Sequence, residues 1–206
     1  MSGMFITLEG IEGVGKTTQL EFIAEYLRTR GRELVITREP GGTLIGEEIR
    51  SIVLDNKHTG MAADTELLLM FAARAEHINK VIRPALESGK DVLCDRFTDA
   101  SYAYQGLGRN IPAARITQMK DWVLGDLKPN LTILLDAPVA IGLERAAKRS
   151  AKDRFESEAL DFFETVRHCY LQIAEDEPDR VKIVDAAGTL EQVKQQVLTI
   201  LEQEVG

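Results

Sequence analysis

Cysteine is scarce in this chain of 206 residues: there are two, Cys94 and Cys169, far apart and without C-x-x-C spacing. That excludes a disulfide framework and a thiolate zinc site, and it points to reduced thiols in a cytoplasmic protein. The three histidines, His58, His77 and His168, also lack metal-ligand spacing. No run approaches the roughly 18 apolar residues of a membrane span, and the N-terminus has neither a charged n-region nor a long apolar h-region, so neither membrane insertion nor export is expected. An excess of positive charge is missing too. With 25 Lys and Arg against 33 Asp and Glu, the net charge is −8, which argues against a nucleic-acid partner because such binding needs a basic surface to displace counterions. Repeats, low-complexity tracts and linkers are absent. Residues 1–206 therefore read as one domain, long enough to bury about 70% of its unfolded surface.

What the chain has is alternation. Short runs rich in Val, Ile and Leu at 5–9, 34–38, 91–95, 131–136 and 181–185 are separated by helical patterns at 16–29, 46–54, 65–88, 112–124, 139–149, 158–174 and 190–203. Runs of that composition suit strands buried on both faces. Alternation with helices makes the expected fold α/β, a three-layer α/β/α arrangement around a five-stranded parallel sheet. Pro84 lies inside the third helical pattern and predicts a kink or break there. Around 98–125 the helix ends are least determined, because Gly106 and Gly108 interrupt the period.

Directly after the first strand run stands Gly10-Ile11-Glu12-Gly13-Val14-Gly15-Lys16-Thr17, followed by Thr18. This is the G-x-x-x-x-G-K-[ST] pattern of a phosphate-binding loop. Its backbone N–H groups turn inward around phosphates, Lys16 reaches the outer phosphate oxygens and the Thr17 hydroxyl ligates Mg²⁺. A nucleoside triphosphate ligand is expected. The other charged candidates also fall at the carboxyl ends of strand runs, where parallel sheets collect ligands: Arg38-Glu39-Pro40-Gly41-Gly42 after the second, Asp95-Arg96 after the third, Asp136 after the fourth.

A metal-holding carboxylate is required at such a site. Asp136 follows the more apolar run, but Asp95 is favoured because the adjacent Arg96 supplies a cation for a second phosphorylated substrate. Arg38 and Arg96, at strand ends, suit a bidentate grip on a monophosphate; the plainer alternative is local pairing with Glu39 and Asp95. Phe71 and Arg74 stand three apart on the long third helix and share a face, which suits stacking on a base and bonding to its edge; alone, Phe71 also suits the core. Ser101, Tyr104 and Gln105 add hydroxyls and an amide beyond Asp95-Arg96. Residues 145–154 form a basic island, which reads as a solvated helix face or as a lid whose arginine closes over the transferring phosphoryl group.

Together, Phe5-Ile6-Thr7-Leu8-Glu9-Gly10 through Thr18, Arg38-Glu39-Pro40-Gly41-Gly42-Thr43, Asp95-Arg96-Phe97 and Ala103-Tyr104-Gln105-Gly106 resemble the thymidylate kinase family in order and spacing, over essentially the whole chain. The resemblance implies phosphorylation of dTMP to dTDP by ATP with Mg²⁺, on a P-loop NTP hydrolase-like core. It also implies Phe71 stacked on thymine, Arg74 and Gln105 at its polar edge with Ser101 nearby, Arg38 and Arg96 on the dTMP phosphate, Tyr104 under the deoxyribose and Glu12 facing its 3′-hydroxyl. Gly13 stands where some members carry a phosphate-loop arginine. In this it resembles the bacterial branch, in which a lid supplies the arginine; Arg149 and Arg154, in a lid at about 145–157, are both candidates. Arg145 against the adenine and a homodimer are further implications. A kinase for another nucleotide and a regulatory NTPase are the rival readings. A GTPase is disfavoured, since Asn56-Lys57-His58-Thr59 lacks the Asp of N-K-x-D.

Overall fold

A computed structural model describes residues 3–148 and 153–205. Strands β1 (Phe5–Glu9), β2 (Leu34–Arg38), β3 (Asp91–Asp95), β4 (Leu131–Asp136) and β5 (Val181–Asp185) form one all-parallel sheet in the order β2-β3-β1-β4-β5. The five apolar runs of the sequence coincide with these strands. The described helices are α1 (Lys16–Thr29), α2 (Leu44–Leu54), α3 (Ala63–His77), α4 (Arg83–Glu87), α5 (Thr98–Ser101), α6 (Ala113–Leu124), α7 (Val139–Ala147), α8 (Leu160–Asp176) and α9 (Leu190–Glu204).

Side-chain alternation along the strands divides the sheet's two faces. Phe5, Val92 and Cys94 join Phe71 of α3 and Ile116 of α6 in one apolar cluster. Ile6, Leu8 and Leu93 join Ile23 of α1, Phe163 of α8 and Val197 of α9 in the other. Helices therefore cover both faces, and the sheet is the middle of three layers. After β1 the chain crosses to β2 on one side, and after β3 it crosses to β4 on the other. The loops at the carboxyl ends of β1 and β3 diverge, and a cleft opens between them.

The helix expected over 65–88 is interrupted. A π turn, Ile78–Ile82, separates α3 from α4, and the Arg83 N–H bonds back to the Ile78 carbonyl, one residue beyond α spacing. Pro84, next in line, has no N–H and its ring crowds the carbonyl four residues earlier; a widened turn relieves both problems. Pro112 is the N-cap residue of α6, one position before its first turn. Around 98–107, α5 runs into a second π turn, Tyr102–Leu107. Among the described residues no helix is long and apolar enough to cross a membrane.

Candidate active site

One wall of the cleft is the glycine-rich loop 10–17, joining β1 to α1. Gly13 has φ +73°, and a Cβ there would lie 1.8 Å from the Gly142 carbonyl oxygen of α7; a Cβ on Gly142 would in turn lie 2.5 Å from the Glu12 carbonyl oxygen. A phosphate-loop arginine at position 13 has no room. Ile11 and Val14 are buried and anchor the loop from beneath, whereas Thr17 and Thr18 are exposed on the first turn of α1. Lys16 is half-buried, with its ammonium folded onto its own loop: Nζ donates to the carbonyls of Gly10 (3.1 Å) and Ile11 (2.8 Å). Burial, with the nearby Arg96, brings its pKa down to about 8 against the opposing pull of Asp95, Glu12 and Glu9.

The two metal-carboxylate candidates separate cleanly. Both oxygens of Asp136 accept from Arg167, at 2.7 and 2.9 Å. Asp95 lines the cleft together with Thr17, and its Oδ1 is buried with no hydrogen-bond partner among the described residues. A cleft-lining carboxylate with one oxygen unpaired, in the same lining as a threonine, fits a hard divalent cation such as Mg²⁺, which keeps waters and phosphate oxygens as its other ligands.

The opposite wall is built around Arg96, whose φ of +68° is uncommon for a residue with a side chain. Its N–H is held by the Leu8 carbonyl at 2.9 Å. Its guanidinium donates to Glu12 (2.7 Å) and to the Tyr170 hydroxyl (3.3 Å), and lies 4.7 Å from the centre of the Tyr104 ring. Tyr104 donates to both Glu12 oxygens, at 2.8 and 2.9 Å. Tyr170, from α8, donates to Glu9 at 2.8 Å, and Glu9 also accepts the Phe97 N–H at 2.7 Å. Burial and the Asp99 charge push the Glu9 carboxyl up to about 7. Neither Glu9 nor Tyr170 was singled out from sequence; Tyr170 lies 74 residues from the arginine it touches.

At the far end, Arg74 is buried and donates to Glu39 (2.7 Å), Ser101 (2.9 Å) and the Phe97 carbonyl (2.9 Å), leaving about two of its five N–H bonds uncommitted. Glu39 also bonds His77 (2.9 Å), which bonds Thr37 (2.6 Å). Arg74, Ser101, Tyr104 and Gln105 all line the cleft, which encloses about 240 Å³.

Three expectations need correction. Phe71 does share a face with Arg74, whose guanidinium sits 4.7 Å from its ring centre, but Phe71 is 1% exposed and packs in the core. The residue that lines the cleft is Met70, one position earlier and thus about 100° round the helix. Arg38, with its side chain 53% exposed, pairs with Glu47 at 2.9 Å and stands outside the cleft lining; Arg50 of α2 lines the cleft instead, braced by the Pro40 carbonyl at 3.0 Å. Arg154 is no free lid arginine: it is 5% exposed and committed to Glu66 (2.7 Å) and the Val53 carbonyl (2.7 Å). Arg149 lies outside the described residues. Arg145 bonds the carbonyls of Ala186 (2.8 Å) and Ala187 (3.4 Å), beyond the carboxyl end of β5. Asp153, Phe155 and Glu156, in the segment expected to form a lid, line the cleft.

Residues 8–197 match the family model described as thymidylate kinase. The chain is 55% identical over 201 residues to a thymidylate kinase of Ectopseudomonas mendocina, covering 98% of this chain and 96% of the relative. To that of Ruthia magnifica it is 52% identical over 200 residues, covering 97% and 98%. Its structure is similar to the crystal structure of thymidylate kinase from Ehrlichia chaffeensis, with a TM-score of 0.80 and 34% identity, covering 98% of this chain and 100% of the other.

Proposed function

The chain belongs to the thymidylate kinase family, and on that premise we propose that its cleft transfers the γ-phosphoryl group of ATP to the phosphate of dTMP, giving ADP and dTDP on the way to dTTP. The observation that carries this reading is the pairing of walls. Lys16, Thr17 and Asp95 line one cavity together with Arg96, Arg50, Arg74 and Gln105, so the groups read as donor-side and those read as acceptor-side share a single cleft.

The reaction is an in-line displacement: an oxygen of the dTMP phosphate forms a bond to the γ-phosphorus as the bond from that phosphorus to the bridging oxygen of ADP breaks. The attacking oxygen is already ionised, so no general base is needed, and catalysis reduces to positioning and charge neutralisation. Backbone N–H groups of 10–17 hold the triphosphate. Lys16 leaves the Gly10 and Ile11 carbonyls for the outer phosphate oxygens. Asp95 and Thr17 would hold Mg²⁺, which supplies neutralisation of charge on the phosphates. Arg96 and Arg50 take the acceptor phosphate, with Glu12 restraining both Arg96 and Tyr104 so that the ring stays beneath the deoxyribose. Arg74, Gln105 and Ser101 address the polar edge of thymine, and Met70 supplies an apolar contact. With Arg154 engaged elsewhere, Arg149 is the remaining lid candidate and Arg145 the adenine-side one.

A homodimer is part of the proposal, supported by apolar side chains left exposed on the neighbouring helices α2, α3 and α6: Ile45, Ile52, Leu68 and Trp122, the last 81% exposed. So is a cytoplasmic location, supported by two buried free thiols. The test is product formation, read by chromatography, from MgATP with dTMP, dUMP, dCMP, AMP, GMP or thymidine. Diphosphate forming chiefly from dTMP is the expected result. A preference for another acceptor would discard the base assignment, and ADP without an acceptor product would discard the kinase.

A further inference from the structure

Among the buried acids that this mechanism leaves unused, one joins distant parts of the chain at the edge of the cleft. Glu66, on α3, has 0% exposure, and a carboxylate taken out of water at that depth is tolerated only if its oxygens meet donors and its charge is matched. Both conditions are met by groups from distant parts of the chain. One oxygen accepts from the Gln105 side-chain amide at 2.8 Å; the other accepts from Arg154 at 2.7 Å; Arg109 approaches at 3.4 Å. Arg109 also pairs with Glu158 at 2.6 Å, so two carboxylates and two guanidiniums form a neutral cluster. Aromatic faces close it. Arg154 lies 4.5 Å from the Phe155 ring centre and Arg109 lies 4.8 Å from that of Phe162.

The cluster joins two pieces of the acceptor site. Gln105 lines the cleft from the π turn after α5, and Asp153, Phe155 and Glu156 line it from the segment before α8. That segment is further pinned to the end of α2, where Arg154 donates its backbone N–H to the Leu54 carbonyl (3.1 Å) and its Nε to the Val53 carbonyl (2.7 Å). The amide of Gln105 and the wall at 153–156 thus take their relative positions from the two oxygens of one carboxylate.

We infer that Glu66 is a positioning residue of the acceptor site, which sets the wall at 153–156 against Gln105 and thereby tightens the grip on the nucleoside monophosphate without touching it. The inference rests on the reading of this cleft as the dTMP site. It assigns Arg154 to the acceptor wall, a role separate from any arginine that closes on the transferring phosphoryl group.

The test is Glu66→Gln, which keeps the shape and removes the charge that neutralises Arg154 and Arg109. The KM for dTMP is expected to rise about fivefold or more while the KM for ATP stays within about twofold, as loss of a buried charged partner confined to one wall requires. Limited trypsin treatment of the native variant should speed cleavage after Arg154, read as a new N-terminus at Phe155, about tenfold relative to cleavage elsewhere, because only that segment opens. Arg154→Met should raise the dTMP KM similarly, and the double variant should be no worse than either single one. Should Glu66→Gln fail to fold, the dTMP-against-ATP split in Arg154→Met carries the test. An unchanged dTMP KM, equal rises in both KM values with cleavage rising at every site, or simple additivity of the two substitutions would each overturn the inference. Failure of the wild-type protein to phosphorylate dTMP would instead remove the proposed function, while selective exposure of Arg154 in Glu66→Gln would still report the clamp.

Discussion

With Lys16 in the proposed phosphate-binding role, the binding of ATP is expected to depend on pH in a range where an ordinary lysine is silent. Burial and the nearby Arg96 disfavour the charged form of Lys16 and bring its pKa down to about 8. Bound phosphates restore the charge, and the pKa of the complex returns to the ordinary lysine value of about 10.4 or above. Below pH 8 the free protein already carries the ammonium; above it, each binding event must take up a proton. With those two values, the dissociation constant for ATP rises roughly 20-fold between about pH 7.5 and 9.5, equivalent to about 1.8 kcal/mol. Phosphate oxygens contribute little to that slope, since their last ionisation lies near 6. Isothermal titration calorimetry in buffers of different ionisation enthalpy reads both the affinity and the proton uptake, which should climb from about 0.2 to about 0.9 proton over the same span. Lys16→Met should bind more weakly and with a flat profile. An affinity constant to within twofold across that range, or the same slope in Lys16→Met, would refute the account.

The offset between Met70 and Phe71 predicts opposite consequences for neighbouring residues. Met70→Ala should raise the KM for dTMP severalfold with little loss of stability, whereas Phe71→Ala should cost about 3–5 kcal/mol in urea unfolding, the usual range for emptying a core aromatic site. The carboxylates divide in the same way. Asp95→Asn should lower kcat by about 100-fold or more while leaving the melting temperature near that of the wild type, and Asp136→Asn should leave kcat within a few-fold and cost no more than about 1 kcal/mol of stability. Stopped-time product assays and thermal unfolding on the same preparations check both pairs.

The sheet was legible because its strands are buried on both faces, so each is a short unbroken apolar run with turn residues at its ends. The phosphate loop was legible because all its parts are contiguous. Asp95 is preferred over Asp136 from sequence because its neighbour is Arg96; in the structure both oxygens of Asp136 accept from Arg167, whereas Oδ1 of Asp95 has no partner among the described residues. What remained hidden depends on direction across the fold. Helical period puts Phe71 and Arg74 on one side of α3, but it does not say whether that side meets the cleft or the sheet, and the difference between Met70 and Phe71 is a single residue. Arg50 sits mid-helix and Tyr170 reaches Arg96 from α8; no local pattern marks either. Charge sign misled at Arg154, because a basic residue in a polar segment looks solvated until its buried partner, Glu66, is brought from 88 residues away. The π turns were missed for a related reason: they have no composition of their own.

The close approach of Gly13 and Gly142 has a consequence for how this catalyst can change. Each glycine leaves room for the other's backbone, so the glycine-rich loop 10–17 and α7 meet backbone to backbone at this point. Glu12, whose carbonyl is in that contact, also carries the carboxylate that restrains Arg96. The loop and Arg96, which line the cleft proposed to hold donor and acceptor, are thus tied to α7 through Glu12 and its neighbours. Moving an arginine into position 13 would lever α7 away from the loop and disturb the hold on the monophosphate at once. A transfer of charge from lid to loop is, for this protein, a rebuilding of one helix start rather than a single substitution.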